Sequence, residues 1–379
     1  MLLRNPRRSA SVLVAFAFAT SLAVAAPCPS PSAAARAKID AVVPQLMAKA
    51  HVPGVALGVA CNGRMVFAQG YGFRNLAQHL PVAPETRFQI GSITKQFTAA
   101  AILQLRAAGK LSLDDHVARF LPHFPHASQI TLRELLNQTT GLYNYTEAPH
   151  FVATADHSRG GFIPITALVA PHPLAFAPGT KWQYSNTNYI VLGQIVAAAS
   201  GESYAAYMQT HIFSPAGMTA TRLIGRPLPD TAEGYNVVSG KVVPAPPLPE
   251  AWAGSAGAIV STVGDLERWD QAVSDGKLIS KADYKQMTSA GVLTNGQHDT
   301  YGFGWMLGQY GSQPTVWHNG GTFGFLALNA RLPQSGLDII VLTNSTALPP
   351  WNIAHAVLRV LMPLPSPKST KGADPAFGG

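Results

Sequence analysis

Ser92 and Lys95 stand three residues apart in Phe88-Gln89-Ile90-Gly91-Ser92-Ile93-Thr94-Lys95-Gln96-Phe97, just ahead of an apolar run from Thr98 to Leu105. A helix begun here is apolar on nearly every face and belongs in a core. The spacing sets hydroxyl and amine on one face of the first turn, near the positive end of the helix dipole. An amine buried there is costly unless it is paired or uncharged, and an uncharged lysine is a base. The chemistry that follows is a serine nucleophile with its own general base. The pattern alone is not decisive, because Ser274-Asp275-Gly276-Lys277 repeats it where Asp-Gly spells a turn. The plain alternative is a helix N-cap with a surface lysine.

Two further motifs bear on that choice. Tyr184-Ser185-Asn186 is the only Tyr-x-Asn in the chain. A phenol near a lysine ammonium ionises more easily and relays a proton, and an amide beside it orients both lysine and substrate. The alternative is a buried tyrosine with a satisfied hydroxyl. Trp317-His318-Asn319-Gly320-Gly321-Thr322 holds the only His-x-Gly and falls at the end of a predicted strand. Its glycines let backbone approach a substrate and offer N–H groups to a developing oxyanion, unless they form an ordinary strand-end turn.

The elements that must position these groups come from both ends of the chain. Ile39, Val42, Val43, Leu46 and Met47 recur at helical spacing, with Pro44 a kink. A strand is expected from Gly54 to Ala60, then an Asn62-Gly63 hairpin turn and a return over Arg64 to Gly72, the pair forming a sheet edge. The serine-bearing helix ends at Gly109. Thr131 and Glu134 have capping-box spacing for a short helix to about Gln138. His150 to Pro178 reads as a long surface excursion. Asn188 to Ala199 predicts a second buried helix stopped by Ser200-Gly201, and Thr262 caps another over Leu266 to Val273. Phe303 to Leu307, Thr315 to His318, Phe323 to Arg331 and Asp338 to Thr343 have strand spacing, and Trp351 to Leu361 closes as a helix. These signals predict an α+β fold. Residues 26–88 and 290–362 build one antiparallel sheet with flanking helices, residues 89–289 form a mainly helical domain, and 363–379 are a disordered tail. Ser92 lies near the first crossing between the two parts, where a site is expected.

With 379 residues, 47% hydrophobic and 12% charged, the chain has ample material for a packed core. Residues 1–25 read as a secretory signal: Arg4, Arg7 and Arg8, an apolar run from Val12 to Val24, and Ala23-Val24-Ala25 as a cleavage site. The run is too short to span a membrane, so no transmembrane anchor remains after its removal and a periplasmic or secreted location is expected. Removing three arginines and no acids lowers the formal charge from +8 to +5. The remaining basic residues are scattered, which speaks against nucleic acid as a partner. Cys28 and Cys61, the only cysteines, are either one disulfide or two unrelated thiols. No Cys-x-x-Cys or His-Glu-x-x-His occurs, so neither a metal nor another cofactor is expected.

Taken in order, the motifs resemble those of the serine β-lactamase and D,D-peptidase superfamily, in its class C-like branch of β-lactamase-related hydrolases, family VIII-type esterases and D-amino-acid peptidases. The resemblance runs from about Pro53 to Asn344. It rests on Gly91-Ser92-Ile93-Thr94-Lys95, Leu135-Leu136 with Thr139-Thr140-Gly141-Leu142, Pro178-Gly179, Tyr184-Ser185-Asn186, Gly193, Ser261-Thr262 with Asp265-Leu266, and His318-Asn319-Gly320. It implies a β-lactamase/transpeptidase-like fold, Ser92 as nucleophile, Lys95 and Tyr184 as the proton-handling pair, and Asn186 as a substrate and lysine contact. The stretch His318, Gly320, Gly321 and Thr322 would line the opposite wall, with the N–H groups of Ser92 and Gly321 as oxyanion hole. True class C β-lactamases usually carry lysine where His318 stands, and an imidazole of ordinary pKa, ~6.5, is mostly neutral at pH 7. Gln138 stands where many relatives have histidine.

The reading is a secreted serine hydrolase acting through an acyl-enzyme on an ester or a D-alanyl-type peptide or amide, with a β-lactam or peptidoglycan as further candidates. Two rivals stand beside it: a non-catalytic penicillin- or peptidoglycan-binding protein, and an α/β-hydrolase with Ser255 of Ala253-Gly254-Ser255-Ala256-Gly257 as nucleophile.

Overall fold

The computed structural model describes residues 28, 30–149, 151, 165–225, 228–248 and 250–363; the expected signal segment, the expected tail beyond Pro363 and most of the 150–164 stretch lie outside them. Seven antiparallel strands form the main sheet, in the order β3-β2-β1-β12-β11-β10-β9. They are β1 (Gly54–Cys61), β2 (Met65–Asn75), β3 (Leu80–Pro81), β9 (Met306–Tyr310), β10 (Gln313–Thr322), β11 (Phe325–Leu332) and β12 (Leu337–Thr343). The strands between, β4 (Phe88–Gln89), β5 (Arg222–Leu223) and β8 (Ile259–Ser261), make a small three-stranded sheet, and β6 (Tyr235–Val238) pairs with β7 (Lys241–Pro244). The expected hairpin is present, turned by Asn62 and Gly63 at φ of 48° and 69°. It is not a sheet edge. β1 lies between β2 and β12, and the short β3 takes the edge beyond β2.

Alternation along the strands sorts the core into two layers. Val55, Leu57 and Val59 face α1 (Ala33–Ala50) and the C-terminal helix Pro350–Leu361, together with Ile339 and Val341 of β12. Ala56, Ile340 and Leu342, one residue out of step, face the opposite core, which contains α2 (Thr94–Ala107). With both faces covered, every residue of β1 and β12 is buried. Each fully buried Val, Leu or Ile there contributes about 1.5–3 kcal/mol relative to exposure.

The helices near the site follow their sequence signals. α3 (Leu132–Leu136) starts with the full Thr131–Glu134 capping box. α5 (Asn186–Ser200) begins two residues earlier than expected and stops at Gly201, whose φ is 81°. α6 (Val263–Ser274) is capped by Thr262 accepting from the Asp265 N–H. In the expected surface excursion, Ile165–Val169 forms α4, and Ile165 and Val169 are buried. The first late strand is displaced: it runs from Met306, while Phe303 and Trp305 are buried side chains of the preceding loop. β10 continues to Thr322, so Gly320 and Gly321 belong to the strand instead of a turn after it. Cys28 and Cys61 are paired as a disulfide, joining the segment ahead of α1 to the end of β1.

Candidate active site

Ser92 occupies a single 3-10 turn, Gly91–Ile93, that leads into α2. Gly91 has a φ of 50°, and a Cβ there would stand 2.5 Å from the Gly321 nitrogen. A Cβ on Gly320 would stand 1.9 Å from the Ile90 carbonyl oxygen. Only glycine at both positions lets β10 press against the serine turn, and this puts the backbone of Gly321 beside that of Gly91 and Ser92.

Lys95 is fully buried at the start of α2. Its Nζ lies 2.9 Å from Ser92 Oγ, 2.8 Å from Asn186 Oδ1 and 2.8 Å from the Ala256 carbonyl oxygen. Asn186 is oriented by its own bonds: Nδ2 donates to Thr146 Oγ1 at 3.1 Å, and its backbone N–H donates to Asn144 Oδ1 at 3.0 Å. Among the described residues no carboxylate forms an ion pair with Lys95. Burial holds the amine well below the usual lysine range. An uncharged amine has two N–H bonds and one lone pair. The amide oxygen and the carbonyl can only accept, so they take the two N–H bonds and leave the lone pair facing the Ser92 hydroxyl.

The Tyr184 hydroxyl is hydrogen-bonded to Ser92, and its ring centroid lies 4.9 Å from Lys95 Nζ. The expected ease of ionisation is reversed. Burial pushes the phenol above its usual range, and the bond to Ser92 offsets this only in part. An uncharged Lys95 supplies no positive charge to lower it, so Tyr184 stays a phenol.

His318 points from β10 into the interior and is buried. Its Nε2 lies 3.0 Å from the Tyr301 hydroxyl and its Nδ1 2.5 Å from the Asn319 carbonyl oxygen. Burial pushes its pKa below the ordinary imidazole range, against the Asn319 bond. The imidazole is neutral, as its ordinary pKa also suggests, but here because it is desolvated.

A cavity of about 120 Å³ opens at Ser92, with Asn186, Gly321 and Thr322 in its walls. Tyr145, Phe151, Leu248, Trp252 and Phe323 also line it. Of the expected site residues, Lys95, Tyr184, His318 and Gly320 are not in its walls: Gly320 is packed on Ile90, and Lys95 and His318 are buried. Ser255 is no nucleophile. It is buried, its Oγ donates to the Tyr189 carbonyl at 2.8 Å, and a Cβ on Gly193 of α5 would overlap it at 2.0 Å.

Sequence reasoning missed three contributors. Gln138 has a φ of 63°, and its Oε1 accepts from the Ser185 N–H at 3.1 Å and from Asn188 Nδ2 at 2.5 Å, holding the start of α5 in place. Its appearance where relatives have histidine was the available signal. Thr146, which orients Asn186, and Tyr301, which meets His318, stand in no motif and gave none.

The family model described as Beta-lactamase matches residues 39–360. The putative penicillin-binding protein PbpX of Bacillus subtilis is 34% identical over 74% of this chain and 68% of its own length, and penicillin-binding protein 4* of the same organism is 32% identical over 82% and 72%. Among solved structures, the octameric penicillin-binding protein homologue from Pyrococcus abyssi superposes with a TM-score of 0.76 at 28% identity, over 86% of this chain and 77% of that one. A D-stereospecific amidohydrolase from Streptomyces sp. gives 0.73 at 28% over 88% and 99%, and the D-amino acid amidase from Ochrobactrum anthropi gives 0.75 at 26% over 86% and 97%. With the two glycine-dependent backbones, the serine beside a buried lysine and a match over most of its length, the chain belongs to the β-lactamase family, with its β-lactamase/transpeptidase-like fold.

Proposed function

We propose that the protein is an exported serine hydrolase, periplasmic or secreted, that works through an acyl-enzyme on an ester or a D-alanyl-type peptide or amide. One observation carries the reading: the buried Lys95 Nζ lies 2.9 Å from the Ser92 hydroxyl, with no carboxylate paired to it among the described residues. In this mechanism Lys95 takes the Ser92 proton as the oxygen attacks the acyl carbon. The Ser92 and Gly321 N–H groups receive the negative oxygen. The Tyr184 phenol, bonded to Ser92, passes a proton to the leaving group and regains one from the Lys95 ammonium; Lys95, uncharged again, then takes a proton from the water that attacks the acyl carbon, and that proton returns to Ser92 Oγ as it leaves. The amidases among the similar structures support amide cleavage, and the paired cysteines support an oxidising compartment. Two relatives named as penicillin-binding proteins favour a second reading, slow acylation by β-lactams.

The test is a panel of short-chain p-nitrophenyl esters, a D-Ala-D-Ala peptide, a D-amino acid amide and a chromogenic cephalosporin, run with wild type and Ser92→Ala beside fluorophosphonate labelling and peptide mapping. Turnover of at least one acyl compound and a single adduct on Ser92, both absent in Ser92→Ala, are expected. An adduct elsewhere, or no turnover with any member, contradicts the reading.

A further inference from the structure

We propose that Tyr301 is a positioning residue that locks His318 as a neutral imidazole with both nitrogens occupied, so that the active site reads no negative charge on its substrate. This rests on the serine-hydrolase reading above and narrows its substrate class to acyl compounds without a carboxylate at the scissile bond.

The hydrogens at His318 can be assigned one by one. The Asn319 carbonyl accepts only, so the nitrogen 2.5 Å from it, Nδ1, carries the ring proton. Nε2 is then a bare acceptor, and the group 3.0 Å away that can donate to it is the Tyr301 hydroxyl. The tyrosine is fully buried, with its ring edge-on to the imidazole at 5.7 Å. Its loop is set by two glycines: a Cβ on Gly302 would stand 2.3 Å from the Met287 carbonyl oxygen, and one on Gly304 2.8 Å from the Lys95 carbonyl oxygen. Tyr301 is thus seated against the first turn of α2, the same turn that holds the base.

Apart from the Asn319 carbonyl, no described neighbour favours a charged imidazole. Lys95 faces it from α2, Tyr184 from the turn before α5, and Tyr189 of α5 and Gln138 border the Tyr301 hydroxyl. Tyr189 commits its own proton to the Leu136 carbonyl at 2.9 Å. None of these is an acid, and a bond donated to Nε2 favours the neutral ring further. Among the described residues, the walls of the cavity beside Ser92 hold no charged side chain. A carboxylate entering it loses hydration and meets no cation among the described wall residues, and the Lys95 amine is enclosed by its own three contacts.

The test uses two thioesters, N-benzoylglycyl thioglycolate and its methyl ester, which differ only in a leaving-group carboxylate, with a ¹⁵N–¹H NMR titration of the histidines. In wild type we expect kcat/KM to favour the methyl ester by at least about tenfold, with a ratio unchanged from pH 5.5 to 8.5, and His318 to stay Nδ1-protonated and untitrated over that range. In Tyr301→Phe, the His318 midpoint should rise far enough to enter that range. Its preference for the methyl ester should shrink at least threefold at pH 5.5, mainly through KM of the acid. A wild-type His318 that titrates near 6.5, a wild-type preference for the acid, or a folded Tyr301→Phe with both readouts unchanged overturns the proposal. Failure of Ser92 to take a fluorophosphonate would instead overturn the hydrolase reading, leaving the NMR result to judge Tyr301 alone.

Discussion

Lys95 and Arg331 are both basic side chains withdrawn from water, yet their partners differ in kind. Around Lys95 stand a hydroxyl, an amide oxygen and a backbone carbonyl. Around Arg331 stand Asp338, 3.0 Å from its Nε, the Tyr284 hydroxyl at 2.7 Å and the Asp270 carbonyl at 3.0 Å. The two groups are linked through Gln96, next to Lys95, whose Oε1 accepts from Trp269 at 3.0 Å and from Asn329 at 3.4 Å; Asn329 Nδ2 also reaches Asp270 Oδ1 at 2.9 Å. Burial acts on both. Lysine yields to it by giving up its proton, whereas arginine cannot and stays charged beside Asp338. A buried base without an acid partner is a reactive group, and one with an acid partner is a structural tie.

Removing each cation should therefore have opposite consequences. Lys95→Met should lower kcat for ester and amide substrates by about 10³–10⁴-fold while changing stability by less than about 2 kcal/mol, measured by denaturant unfolding. A comparable loss of stability and activity would erase the distinction. Arg331→Met should cost about 3–5 kcal/mol, because Asp338 loses its partner in the interior, with activity per folded molecule kept. A folded, fully stable Arg331→Met would break the comparison from the other side.

The remaining tests are smaller. Tyr184→Phe should lower amide turnover by about 10²-fold and p-nitrophenyl ester turnover by less than about tenfold, since p-nitrophenolate leaves without a proton. Equal losses on both would place the phenol in the attack step instead. Asp270 is pushed up to about 8, by burial first, with Arg331 pulling the other way. An unfolded aspartate titrates near ~3.9, so the stability contributed by neutral Asp270 is whole below about pH 4 and is lost as pH rises through about 8. Asp270→Asn should remove that loss, leaving the variant at least about 2 °C more stable than wild type in Tm at pH 8, with a smaller gap at pH 5. Parallel Tm profiles would show that Asp270 is already ionised in the fold.

Local chemistry made much of this legible in the sequence. The capping box at Thr131, the Asn62-Gly63 turn and the apolar helix after Ser92 are specified by near neighbours, and each was placed within a few residues. Ser92, Lys95, Tyr184 and Asn186 stand in short motifs that spacing alone leaves open and the family resemblance singles out, and the structure brings all four together. What was not legible depends on distant partners. The position of β1 inside the sheet is set by its pairing with β12, nearly three hundred residues on, which alternation within β1 does not encode. The direction of the Tyr184 shift is set by burial, which depends on how distant segments pack around the phenol. Tyr301 belongs to no motif; only folding sets it against His318.

The central claim is that Ser92 is activated by a lysine that is uncharged at neutral pH, and the pH dependence of its acylation tests this most directly. The second-order rate of labelling by a neutral fluorophosphonate is to be followed from pH 7 to 10, with the adduct mapped to Ser92. A base already free at pH 7 predicts a rate that changes less than about threefold over that interval. A rate rising about tenfold per unit toward the ordinary lysine pKa of ~10.4 would mean that Lys95 is charged, and would contradict the account.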